Sequence, residues 1–174
     1  MCIWLSFKFI VHNFLFFLLD IKYNHHYIFV NRIKKESLEM KNKIFELYKK
    51  DSLAEFLNFY KENPEENFVY VLQTPPTNIN ILGASDFGYL VICLPNHGPD
   101  SQIIFSPAPF VFKMRKNLRD FRKQDYILLT GDPAIIGISC AIVSDQTNGQ
   151  FRLLKWDRRE ARYYPINFDL YQKG

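Results

Sequence analysis

The sequence is short of the residues that build disulfide and metal sites. Its three cysteines, Cys2, Cys93 and Cys140, stand far apart in apolar surroundings. There is no C-x-x-C pair and no disulfide framework, so a reducing compartment is expected. One-sided charge is also lacking. The formal excess of +4 is mild and does not by itself call for nucleic acid. The phosphate loop G-x-x-x-x-G-K-[ST], the dinucleotide pattern G-x-G-x-x-G and the nucleophile elbow G-x-S-x-G are all absent. Neither an internal repeat nor a low-complexity tract is visible.

What is present is enough for a folded domain. A chain of 174 residues can bury one sizeable core. Its 48% hydrophobic and 23% charged content is ordinary for a globular protein, while 17% aromatic content is high.

The first forty residues differ from the rest. "MCIWLSFKFIVHNFLFFLLD" is densely apolar, and Ile3 to Leu19 nearly reaches the roughly 20 residues of a membrane-spanning helix. A signal peptide fits less well, because the charged leader and the small-residue cleavage site are missing. The preferred expectation is that residues 1–39 are upstream sequence read through, rich in the residues AT-rich DNA encodes. Lys35-Glu36 is encodable as AAGGAG, a bacterial ribosome-binding sequence, three codons ahead of Met40. Translation from Met40 is therefore expected, with a membrane anchor as the alternative. Five of the 22 Lys and Arg and three of the 18 Asp and Glu precede Met40. From there the charge balance is nearly even and His97 is the only histidine. No zinc set can then be assembled, and no metal or cofactor is expected.

From Met40 to Glu66 the spacing of Ile44, Leu47, Tyr48, Leu53, Phe56, Leu57 and Tyr60 predicts a helical segment, with Asp51-Ser52 dividing two short helices. An α/β domain over residues 67–174 should follow. "FVYVLQ" reads as a strand, and "TPPTNINILGASD" as a loop. "GYLVICLP" and "YILLTG" are continuous apolar runs, as in strands buried on both faces. Phe110, Val111, Met114, Leu118 and Phe121 share one helical face, with Lys113, Lys116, Arg119 and Lys123 elsewhere. "DPAIIGISCAIVSDQTNG" is a second helix, apolar on nearly every side and so expected to be buried. "FRLLKWD" and "ARYYPINFDL" form a hairpin around "RRE", and Pro165 puts the last strand at a sheet edge. The alternation predicts an α/β fold: a small, mostly parallel sheet with flanking helices and a C-terminal antiparallel hairpin. Val91, Cys93, Leu128, Leu129, Leu153 and the helix Ala134 to Val143 should form the core.

Two places carry candidate chemistry. Strand ends are where open α/β sheets hold ligands. Here they carry Asn96, His97 and Asp100 after one strand and Thr130, Gly131 and Asp132 after the next, so His97 and Asp132 are expected to face each other across a crevice. The plainer readings are preferred: "NHGPD" as a surface turn, and Asp132-Pro133 as a helix cap followed by proline at the first helical position. An aspartate there would also repel a phosphate. The second place is basic. "KMRKNLRDFRKQ" is a cationic helix. "KWDRREARYY" interleaves Lys155, Arg158, Arg159 and Arg162 with Trp156, Tyr163 and Tyr164, a mixture that can hold phosphates while bases stack. A solvated face, with Trp156 packed on Tyr164, is again the plainer reading.

"DYILLTGDPAIIGISCAI" and "NGQFRLLKWDRREARYYPINFDL", with "FVYVLQTPP" and "FGYLVICLP" before them, resemble small proteins of unassigned function from tailed bacteriophages, especially marine ones. The likeness covers Asn67 to Leu170. It implies a viral protein in the cytoplasm of a bacterial host and transfers no catalytic residue. The first expectation for function is a non-enzymatic α/β module that binds or regulates, with an unknown protein or single-stranded nucleic acid as partner. A nucleotide or small-molecule enzyme using the strand-end crevice comes second. A membrane-anchored protein comes third, and needs residues 1–39.

Overall fold

A computed structural model describes residues 44–76, 79, 81–96 and 107–173, all within the unit Lys41–Gly174. The apolar N-terminal run lies outside them, and with it the anchor and start-site expectations. Among the described residues no helix is long and apolar enough to cross a membrane.

Among the described residues there are six strands, β1 (Ile44–Glu46), β2 (Phe68–Val71), β3 (Tyr89–Ile92), β4 (Tyr126–Leu128), β5 (Gln150–Asp157) and β6 (Arg162–Asp169), and three helices. These are α1 (Ser52–Glu62), α2 (Pro107–Leu118) and α3 (Pro133–Gln146), and a 3-10 segment, Leu82–Phe87, precedes β3. One sheet results, in the order β1-β3-β2-β4-β5-β6. The first five strands are parallel and β6 returns antiparallel to β5. The chain thus adopts the expected α/β architecture, hairpin included. Every residue of β2, β3 and β4 is buried, which is why these strands read as unbroken apolar runs.

The strand order dictates what covers each face. The links β1 to β2, β3 to β4 and β4 to β5 all move the same way across the sheet. The link β2 to β3 moves back and carries the 3-10 segment. With one crossover hand throughout, α1–α3 must lie on one face and the 3-10 segment on the other. The two buried clusters divide in this way. Phe56 of α1, Met114 of α2 and Ile135 of α3 pack with Phe68, Tyr70 and Val91 of the sheet. Ile81 and Ala84 pack with Val69, Leu90, Leu128 and Leu154 on the reverse face.

The helical face is dense with aromatics. Phe56 meets Phe45 at 5.4 Å and Phe68 at 5.5 Å between ring centroids, and Phe59 meets Tyr89 at 4.8 Å, all near edge-to-face. An ionic staple at the amino ends of β2 and β4 closes it. The Asp125 carboxylate, fully buried, accepts from the Phe68 amide at 3.0 Å and the Arg122 amide at 2.9 Å, and pairs with the Arg122 guanidinium at 3.1 Å. Arg122 also donates to the carbonyls of Pro64 and Glu66, each at 2.6 Å, and lies 4.4 Å from the Tyr60 ring centre. Burial holds the Asp125 carboxyl above its usual range even though Arg122 pulls it down. The Tyr70 hydroxyl is also buried on this face and has no hydrogen-bond partner among the described residues.

Several expectations are corrected. Ile44 to Glu46 is a strand, because β3 offers it an edge: Phe45 pairs with Val91 and buries against α1. Only one helix follows, and Asp51, in a left-handed conformation (φ 67°), marks its start. The loop after β2 contains the 3-10 segment that packs on the reverse face of the sheet. Gly88 joins that segment to β3, where an added Cβ would stand 2.3 Å from the Asn67 carbonyl oxygen. Helix α3 buries Ile135, Ser139, Ile142 and Val143 but exposes Ala134, Gly137 and Ala141. Its apolar residues on the outer side are small, so little area calls for cover. No atom lies within 4 Å of a Cβ built on Gly137, so no second backbone approaches there among the described residues. Leu129 and Cys140 are half-buried, whereas Val91, Cys93, Leu128 and Leu153 are core.

Candidate binding groove

The thinly covered face holds a groove of about 1130 Å³. One wall is the 3-10 segment with its approach, contributing Ile79, Gly83, Asp86 and Phe87. The other is the hairpin, through Lys155, Trp156, Arg158, Ala161, Arg162 and Tyr163. Leu129 and Thr130, directly after β4, complete the lining. The carboxyl ends of β4 and β5 therefore border the groove, as expected for ligand sites in open α/β sheets. The link leaving β2 moves one way and the link leaving β4 the other, so the sheet's topological switch point is adjacent.

Local sequence explains the walls. Register sets Trp156 opposite Tyr163, and their rings meet edge-on at 4.8 Å. The turn between the strands is tied by Asp157, whose carboxylate accepts the Arg159 amide at 2.7 Å and the Glu160 amide at 3.3 Å. That leaves the Arg158 and Arg159 side chains outside the turn's own bonding. Tyr163 is buried and backs the groove, and burial raises its phenol above the ordinary value. Trp156 is 42% exposed. The expected packing of Trp156 on Tyr164 is corrected here: strand alternation turns Tyr164 to the other face.

The two sets of candidate residues meet only in part. Thr130 from the strand-end set joins Lys155, Trp156, Arg158 and Arg162 from the basic hairpin in the one groove. Arg159 and Tyr164 do not line it. Asp132 caps α3, its carboxylate accepting the Ala134 amide at 2.7 Å. Gly131 (φ 115°) stands against Gln73, the loop after β2, with 3.5 Å between the Gln73 Cβ and a Cβ built on Gly131. Asn96 is half-buried after β3, and β2 separates that strand from β4. His97 and Asp100 lie outside the described residues, so the pairing of His97 with Asp132 does too.

Charge separates the two basic stretches. Along and after α2, Arg115 pairs with Asp145 and Arg119 with Asp120, Arg122 belongs to the staple, and Lys123 donates to Gln150 at 2.6 Å. Those cations are largely satisfied within the fold. At the groove, Arg162 pairs with Glu160, while Lys155 and Arg158 have no partner among the described residues. Asp86 is the one carboxylate among the described lining residues. Sequence reasoning missed Gly83 and Phe87, and it missed Tyr163 as the partner of Trp156. The register would have revealed Tyr163, since a short turn after Asp157 sets it opposite Trp156.

The fold and groove together define a small open-sheet α/β protein with a cationic, partly aromatic cleft at its strand ends. The chain belongs to the Phage Pam3 gp32-like protein family, whose model matches residues 67–170. That stretch runs from the start of β2 through β6 and is the one over which the phage resemblance was read. It contains the whole groove lining. No curated protein and no solved structure matches the chain.

Proposed function

We propose that this chain is a phage binding module that acts in the bacterial host cytoplasm without turning over a substrate, and that the groove is its binding face. The observation that carries the reading is a juxtaposition in one groove: Arg158, which has no hydrogen-bond or ion-pair partner among the described residues, beside a half-exposed Trp156. Unpaired charge and exposed indole are what a surface keeps for a partner. Binding without turnover agrees with the described lining residues, among which Asp86 is the one carboxylate and Thr130 the one hydroxyl apart from Tyr163. General acid–base work calls for paired titratable groups at hydrogen-bonding distance.

A photo-crosslinking side chain placed at Gly83 in the full chain tests this in infected cells. Gly83 lines the groove, and a Cβ there meets only the Tyr163 ring, at 3.6 Å. The expected result is a discrete adduct from Gly83 and none from Phe112, an exposed site on α2. Equal labelling from both sites, or none from Gly83, would remove the groove as the binding face. Sensitivity of the adduct to nuclease or to protease gives the partner's class.

A further inference from the structure

The same groove carries a statement about its partner, one that rests on the reading above. We infer that the groove takes a single-stranded nucleic acid, with Arg158 on the phosphates and Trp156 stacked on a base. Three observations converge. First, size: about 1130 Å³ exceeds the roughly 300–1,000 Å³ of small-molecule pockets, which suits a stretch of polymer. Second, charge: among the described lining residues Arg158 and Arg162 stand with one carboxylate, Asp86, and Arg158 has no hydrogen-bond or ion-pair partner among the described residues. A polyanion supplies what Arg158 lacks, and it gains by releasing its own counterions.

Third, the aromatic geometry. Tyr163 is buried and holds the Trp156 indole edge-on at 4.8 Å, so the indole is fixed while much of it stays open. A ring held this way is a stacking platform at little entropic cost. Bases of any sequence stack on such a platform, because each has a π-face. A duplex presents no free base face, so the single strand is the form that uses the indole. The hairpin adds an internal control. Arg159 sits on the same turn as Arg158, carries the same charge and does not line the groove.

The test is fluorescence anisotropy of labelled oligothymidylate titrated with the full chain in low salt, repeated as salt rises. Binding should weaken steeply with salt, and Arg158→Ala should lower the slope by about one. Trp156→Leu should weaken binding roughly 5-fold to 100-fold. Arg159→Ala should change neither. Arg158 and Arg159 make no side-chain hydrogen bond or ion pair among the described residues, so their variants keep the test valid if Trp156→Leu unfolds the hairpin. Heparin, a polyanion without bases, should bind with no response to Trp156→Leu. No binding to oligothymidylate by the folded chain, or equal losses for Arg158→Ala and Arg159→Ala, would overturn the inference. If the Gly83 adduct then persists and is sensitive to protease alone, the groove remains a binding face for a protein. Loss of the adduct as well removes both readings.

Discussion

The two faces of the sheet are built from the same five parallel strands, yet they are covered to very different depths. Three helices and a belt of edge-to-face aromatic pairs close one face, and the Arg122–Asp125 staple locks its amino end. One 3-10 segment crosses the other, and beside it the sheet and hairpin leave a groove. Crossover direction produces the asymmetry, since only the β2 to β3 link returns across the sheet. The difference teaches where polar chemistry is spent. On the helical side, charged groups are turned inward and used to hold loops together. On the 3-10 side Arg158 lines the groove and holds no group among the described residues, and Arg162 pairs only with Glu160 of its own turn.

If that division is correct, the largest loss of stability should come from the staple. Asp125→Ala leaves the Arg122 guanidinium and the Phe68 amide without their acceptor, and should cost about 3–5 kcal/mol in urea unfolding. Core truncations then compare the faces directly. Phe56→Ala, at the centre of the aromatic belt, should cost about 3–5 kcal/mol. Phe87→Ala, half-buried against Tyr126 on the thin face, should cost roughly half as much. Equal losses would mean that both faces bear the fold alike.

Alkaline pH probes the edge of the helical face. Burial raises the Tyr60 phenol to about 12, and its hydroxyl donates to the Asp120 carbonyl at 2.5 Å. A raised folded-state value means this group's contribution is complete below the ordinary phenol value of about 10. It is lost as pH climbs from there through about 12. The stability difference between the wild type and Tyr60→Phe, followed by denaturant unfolding, should be constant below that window and shrink within it. The smallest effect belongs to the groove: Arg158→Ala should change stability by less than about 0.5 kcal/mol, because its exposed side chain makes no hydrogen bond or ion pair among the described residues.

The sheet was legible from sequence because strands buried on both faces leave long apolar runs, and because Pro165 and the "RRE" turn mark an edge hairpin. β1 was not legible. Three residues cannot display an alternation, and Ile44, Leu47 and Tyr48 happen to fall at helical spacing. The 3-10 segment was hidden by its Pro, Asn and Gly content, which signals a loop and says nothing of where the loop lies. The outer side of α3 misled because Ala134, Gly137 and Ala141 count as apolar while presenting almost no area to bury. The staple was unreadable for a different reason. Arg122 looks like any cation in a basic run until the chain brings Pro64, Glu66 and Phe68 to it from more than fifty residues away. The groove was half visible: Thr130 and the hairpin cations stood out separately, and only the path of residues 79–87 makes them neighbours.

Native-state amide hydrogen exchange tests the division between the faces most directly. The amides of Ala84 and Gly88, bonded within and just after the 3-10 segment, should exchange through local opening, at a free energy well below that of global unfolding. The amide of Phe68, held by Asp125, and that of Asn63, bonded to Phe59 at the end of α1, should approach the global value. Ala84 and Gly88 exchanging as slowly as Phe68 would contradict the account, because the 3-10 cover would then be as firmly built as the helical face.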